Sequence, residues 1–222
     1  MFYHRPHILV IDPAVLRPEL EAFNQLSTLS HSPLTYHLPA LHGMHSLCRA
    51  EKNIKGIIVF GSKSSVNERN EWQKALEAWL MPLLLKRIPT LGICYGHQMI
   101  AHLFGGKIEY HSPNQECHVG FRDVELLPSR LWDQKTLKGE LYVSHNEAVT
   151  QVPDCMKVIV KSKSIPIDGL EHKDLPIFTF QPHPETSCLR FKTQEEKEQH
   201  SPRLKFGHEL VKSFIDFCDR RS

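Results

Sequence analysis

Apolar residues in this chain fall into short, nearly unbroken runs, separated by segments where they recur every three or four positions. His7–Ile11 (HILVI) and Ile54–Phe60 (IKGIIVF) are runs of the first kind, as expected for strands buried on both faces. Ile88–Ile93 and Ile177–Gln181 read the same way. Between them, Pro18–Leu29 reads as a helix. Ser65-Val-Asn-Glu68 has the form of a capping box and is followed by Trp72, Leu76, Trp79, Leu80 and Leu83 at helical spacing, a core-packing stripe. Tyr95–Phe104 reads as a short helix that stops at Gly105-Gly106, and Leu204–Cys218 places Leu210, Val211, Phe214 and Phe217 on one helical face. This alternation predicts an α/β fold, a mostly parallel twisted sheet with helices on both faces. The middle of the chain reads as shorter β segments (Val119–Leu127, Leu141–Ser144, Lys157–Lys163), a small antiparallel addition. The charged stretch Lys192–His200 reads as a solvated loop.

Length and composition narrow the class. With 222 residues and 41% hydrophobic content, the chain suits one sizeable domain spanning 1–222. A net charge of +2 with no dominant Lys/Arg run argues against nucleic acid or an anionic membrane as partner. The opening MFYHRPHILVIDP lacks the pattern of a signal peptide, and the apolar run Trp79–Leu85 is interrupted by Pro82 and too short to span a bilayer. A cytoplasmic protein is expected. Six cysteines without a CxxC pair read as mostly reduced thiols, not a disulfide framework. His42, His45 and Cys48 have metal-like spacing but no fourth ligand; a solvated loop is expected there, and no metal.

The chemistry concentrates in two places. Thr90-Leu-Gly-Ile-Cys94-Tyr-Gly96-His-Gln98 has the form strand, Gly-x-Cys-x-Gly, helix, which is a nucleophile elbow. Gly92 and Gly96 leave room for the sharp turn. The helix beginning at Tyr95 would aim its N-terminus at Cys94 and favour the thiolate, leaving the Tyr95 N–H free for an oxyanion. Taken alone, this pattern fits an inert buried cysteine equally well. The second place is Phe178-Thr-Phe-Gln-Pro-His183-Pro-Glu185, at the end of a later apolar strand. A cysteine nucleophile needs an imidazole to move its proton, and the imidazole needs a carboxylate to hold its tautomer. His183 and Glu185 can meet across Pro184.

Together, LGICYGHQ and FQPHPE resemble the class I glutamine amidotransferases, the glutaminase domains of GMP synthetase, anthranilate synthase and carbamoyl phosphate synthetase. They are also similar to the stand-alone γ-glutamyl peptidases of that family. The likeness runs from the first strand to about Thr186. It implies a flavodoxin-like fold and a Cys94–His183–Glu185 triad. It also implies an oxyanion hole made by the loop at Gly61-Ser62 and by Tyr95, and substrate contacts from Gln98, Asn146 and Glu147. Ser62-Lys63 departs from the family's usual Gly-Pro, Pro182 replaces an aromatic, and His118 stands where relatives often have Glu.

The expected reaction is cleavage of the γ-amide of glutamine, or of a γ-glutamyl compound, through a Cys94 thioester without a cofactor. Ammonia could pass to a synthase or synthetase partner, since the chain has no GxxxxGK[ST] loop with which to activate an acceptor. Alternatively the protein hydrolyses γ-glutamyl peptides on its own. A catalytically inactive binding or regulatory subunit is the competing reading from another class.

Overall fold

A computed structural model describes residues 5–221, so Met1–His4 and Ser222 of the expected 1–222 domain, including the start of the opening segment, lie outside the described residues. The strands are β1 (His7–Ile11), β2 (Leu34–His37), β3 (Ile54–Val59), β4 (Thr90–Ile93), β5 (Lys107–Tyr110), β6 (His118–Leu126), β7 (Leu137–His145), β8 (Glu147–Gln151), β9 (Met156–Lys161), β10 (Gly169–His172) and β11 (Ile177–Phe180). The helices are α1 (Leu20–Leu29), α2 (Pro39–His42), α3 (His45–Ala50), α4 (Glu71–Leu85), α5 (Tyr95–Leu103) and α6 (Gln194–Asp219). One sheet runs β2-β1-β3-β4-β11-β10-β9-β6-β7. Its first five strands pair in parallel, and from β11 onward the pairing is antiparallel. β5 and β8 form a separate antiparallel ribbon.

The unbroken apolar strands are explained by two cores. Successive side chains of a strand point to opposite faces. Ile8, Val10, Ile58 and Phe60 accordingly pack with Leu26 of α1 and Val211 and Phe214 of α6. Leu9, Ile11, Ile57 and Val59 pack on the other face with Leu47, Leu76, Leu80 and Ile100 from α3, α4 and α5. The expected parallel core with helices on both faces is present, and the antiparallel segments extend the same sheet as well as forming the ribbon. Among the described residues no helix is long and apolar enough to cross a membrane.

Local expectations are corrected in three places. Lys192–His200 is mostly helical, since α6 begins at Gln194. Thr193 Oγ1 accepts from Glu196 N at 3.1 Å, and the Glu196 carboxylate accepts from Thr193 N at 3.1 Å. This cap, together with the buried face further along, extends the helix through a charged segment whose side chains face water. His42, His45 and Cys48 lie on α2 and α3 and are exposed, so they are not on a loop. The Ser65–Glu68 box closes a single 3₁₀ turn at Val66–Glu68; α4 opens five residues later with its own box, Asn70 and Gln73.

Candidate active site

The carboxyl ends of β3, β4 and β11 lie side by side and deliver Gly61, Cys94 and His183 to one rim. β4 stops at Ile93 and α5 starts at Tyr95, so Cys94 alone makes the turn, with φ 51° and ψ −102°. A positive φ on a non-glycine residue costs on the order of 1–3 kcal/mol and persists only where its surroundings hold it. Here Cys94 N donates to Phe180 O of β11 at 2.8 Å, and Gln98 N donates to Cys94 O at 3.0 Å. The flanking glycines are required by close approach. A methyl group on Gly92 would lie 2.6 Å from Gly96 O, and one on Gly96 would lie 2.4 Å from Val59 O.

His183 follows β11 on a turn held by its own N–H, which donates to Tyr142 O at 2.7 Å. The sequence gives no sign that α6 braces this turn. His208 Nε2 reaches Thr186 O at 2.8 Å, and Gly207 packs so closely that an added methyl would lie 2.8 Å from Pro184 O. His183 Nδ1 and Glu185 Oε1 are 2.8 Å apart, with Glu185 buried. The thiol and imidazole meet across Gly61: a methyl there would lie 2.9 Å from His183 Cε1 and 3.4 Å from Cys94 Cβ. Burial works against a charged imidazole, but the charges of Glu185 and Cys94 and the hydrogen bond to Glu185 outweigh it. His183 is thereby held well above the usual imidazole range. Its Nε2 is buried and tied to no oxygen or nitrogen among the described residues.

The Gly61-Ser62 loop is anchored from the end of β1. Ser62 Oγ donates to Pro13 O at 2.7 Å and accepts from Ser64 N at 3.2 Å. Pro13 follows Asp12, a fully buried carboxylate at the end of β1 that accepts from Ala14 N at 2.9 Å, Glu19 N at 2.7 Å and the Tyr36 hydroxyl. Burial raises the Asp12 carboxyl above its ordinary range, with those three donors working against the shift. Its only sequence signal is an acidic residue ending a buried strand. Tyr95 N, at the first position of α5, has no acceptor one turn earlier within the helix.

The other predicted residues lie beside this rim. Ser144 O is 3.9 Å from Cys94 Sγ, which brings the bend between β7 and β8 against the nucleophile. Gln98 is buried, and its amide nitrogen donates to Glu147 O at 2.9 Å and to Gln181 Oε1 at 3.1 Å, so its remaining capacity is the carbonyl oxygen. The Glu147 carboxylate accepts from Ser65 Oγ at 2.9 Å. Asn146 is exposed at the bend, and its carbonyl accepts from His111 N at 3.1 Å. Cys94, His183, Glu185 and Gly61 are thus brought together, with Gln98 and Glu147 behind them. No group of three or more His, Cys, Asp or Glu side chains among the described residues has the arrangement of a metal site.

Residues 26–199 match the family model described as glutamine amidotransferase class-I. The chain is 33% identical over 167 residues to a glutamine-hydrolyzing GMP synthase subunit of Pyrococcus abyssi, covering 75% of this chain and 77% of that protein. The corresponding GMP synthase subunit of Methanopyrus kandleri is 27% identical over 73% of this chain and 75% of its own length. In fold, the chain is similar to a glutamine amidotransferase from Thermotoga maritima, with a TM-score of 0.73 and 17% identity over 96% of this chain and 98% of that one.

Proposed function

The chain belongs to the class I glutamine amidotransferases, and from that membership we propose that Cys94, His183 and Glu185 hydrolyse the side-chain amide of glutamine. The observation that carries this reading is the imidazole held between a carboxylate at 2.8 Å and the elbow thiol, both of which raise its basicity. An imidazole so placed can take the proton of the thiol and leave the nucleophile that acyl transfer needs. Cys94 Sγ attacks the δ-carbon of glutamine, and the carbonyl π electrons move to oxygen. The N–H groups of Tyr95 and Ser62 receive that oxyanion. When it collapses, the C–N bond breaks, and His183 Nε2 gives its proton to the departing nitrogen, which leaves as ammonia. The γ-glutamyl thioester is then attacked by water, whose proton passes to His183, and glutamate leaves with Cys94 restored. Glu185 keeps Nδ1 protonated throughout and steadies the charge on the ring. Gln98, Asn146 and Glu147 line the side where the substrate's α-amino and α-carboxyl groups sit.

The ammonia is handed to a synthetase partner in this reading. Two relatives carry the name of a GMP synthase subunit, and this sequence contains no phosphate-binding loop of the GxxxxGK[ST] kind. We treat residues 1–222 as one domain, because helices from both ends of the chain pack on a single sheet. One observation favours activity without the partner as well: Ser62 is already tied to Pro13, so the oxyanion loop is held in the isolated chain. A loop that needed a partner to order it would not be. Such a chain is expected to turn over γ-glutamyl compounds in addition to glutamine.

The test is steady-state release of ammonia and glutamate by the purified chain, with glutamine and several γ-glutamyl dipeptides in parallel. Cys94→Ser is expected to lower turnover by about a thousandfold or more. A glutamine-shaped chloroketone should label Cys94 in preference to the exposed Cys48 and Cys117. Unchanged turnover in Cys94→Ser would remove the reading. No turnover by the isolated chain, with Cys94 still labelled, would establish dependence on a partner.

A further inference from the structure

We infer that Arg122, paired with Asp168, is a positioning residue that locks the tautomer of His145 and thereby sets the substrate-holding bend 144–147. This rests on the glutaminase reading above. Arg122 points from β6 into the interior beside β7. Its Nη2 donates both to Asp168 Oδ1 at 2.6 Å and to His145 Nε2 at 3.2 Å. Arg122 Nε and Nη1 bond to nothing among the described residues, so Nη2 is the atom that anchors the guanidinium. A guanidinium has no acceptor, so His145 Nε2 must be unprotonated and the ring must carry its hydrogen on Nδ1. That Nδ1–H donates to Glu147 O at 2.9 Å, the same carbonyl that accepts from Gln98 Nε2 at 2.9 Å.

The chain of contacts therefore runs from a buried ion pair to the rim. Asp168 O also accepts from Gln181 N at 2.7 Å, and Gln181 Oε1 accepts from Gln98. The bend so held carries Ser144 O, 3.9 Å from the nucleophile, and Glu147, whose carboxylate grips Ser65 on the loop beyond Gly61-Ser62. With the tautomer reversed, Nε2–H would face the guanidinium and Nδ1 would face the Glu147 carbonyl lone pairs. Two hydrogen bonds would become two repulsions. A charged ring would keep the bond to Glu147 but would set its charge against Arg122. Burial and the adjacent Arg122 hold His145 down at about 3, so the ring stays neutral at working pH. His111 and His118 lie beside it, tilted or edge-on, with ring centroids 4.0 Å from each other and 5.2 and 6.3 Å from that of His145, and His183 adds to the cationic surroundings.

The experiment compares two electrophiles on the full chain. A glutamine-shaped chloroketone must seat its α-amino and α-carboxyl groups on the bend, whereas iodoacetamide needs only the thiol. Arg122→Met is expected to raise the half-saturating chloroketone concentration tenfold or more while the limiting labelling rate stays within threefold. Alkylation of Cys94 by iodoacetamide should stay within twofold. His145→Asn, whose amide nitrogen stands where Nδ1–H stood, is expected to keep half-saturation within threefold of the parent. His145→Gln, whose nitrogen lies at the Nε2 position, should lose it as Arg122→Met does. If Arg122→Met fails to fold because it strands the Asp168 carboxylate, the Arg122→Met/Asp168→Leu pair removes both charges and carries the same expectation. An unchanged half-saturation in these variants, equal effects of the two His145 substitutions, or a parallel fall in iodoacetamide reactivity would each overturn the inference. A parent chain that iodoacetamide alkylates at Cys94 but the chloroketone never labels would overturn the glutaminase reading instead, and this inference with it.

Discussion

Gly61→Ala is a perturbation of one methyl group with a consequence that can be worked from distances. The new carbon would stand 2.9 Å from His183 Cε1, 3.4 Å from Cys94 Cβ and 3.8 Å from Cys94 Sγ. Carbon atoms rest comfortably at about 3.5–4.0 Å, so the imidazole must withdraw by roughly 0.6–1 Å. It cannot withdraw freely, because Nδ1 is tied to a buried carboxylate at 2.8 Å and the turn is braced by α6. Misplacing a catalytic group by about 1 Å costs on the order of a hundredfold in rate. We therefore expect kcat for glutamine to fall by about 30- to 100-fold, with KM within about threefold because the bend that holds the α-groups is untouched. Thermal unfolding should move by only a few degrees, since the clash is with a side chain at the rim. The contrast is Gly96→Ala, whose methyl would meet the Val59 carbonyl at 2.4 Å in the backbone of a central strand; there the expected loss is stability, about 1–3 kcal/mol. Ammonia release measured over a range of glutamine concentrations, alongside melting curves, separates the two. A Gly61→Ala enzyme with kcat within twofold of the parent would refute the placement of His183 against Cys94.

Two further outcomes are expected. Glu185→Gln should be less damaging than His183→Ala by roughly tenfold or more in kcat, because an orienting group matters less than the proton carrier; the reverse order at saturating glutamine would mean the roles are misassigned. Burial raises the Asp168 carboxyl to about 6 despite the opposing Arg122, so the folded chain holds that proton more tightly than the unfolded chain between about pH 4 and 6. The associated stability is present on the acid side and is lost as pH rises through 6. Relative to Asp168→Asn, the parent should gain on the order of 2–3 kcal/mol in denaturant-derived unfolding free energy between pH 7 and pH 4, and parallel pH curves for the two proteins would exclude it.

Much of the parallel half was legible because its strands are buried on both faces and read as unbroken apolar runs, β1 and β3 most plainly. The elbow was legible for a steric reason: a one-residue turn between strand and helix admits no side chain at positions 92 and 96, and so leaves a written signature. His183 and Glu185 were legible because they sit two apart on one turn. The start of α6 was not. Lys192–His200 has no apolar face of its own, and its helical state depends on the Thr193–Glu196 cap and on the packing of residues further along. The short β2 and β10 were missed because their four residues (LTYH and GLEH) mix polar and apolar side chains and so lack the nearly unbroken apolar run that marks the equally short β4 and β11.

The sequence by itself determined which residues carry the chemistry and which elements present them, since backbone geometry and side-chain type act locally and leave their mark within a few positions. Only the tertiary structure decided what holds them in place. Asp12 and Pro13 anchor Ser62 across 49 positions, and Arg122 reaches Asp168 across 46 and His145 across 23. These are single polar contacts between segments that lie far apart along the chain. A buried polar group must find a partner wherever the fold provides one, and no spacing rule along the sequence records which one it will be.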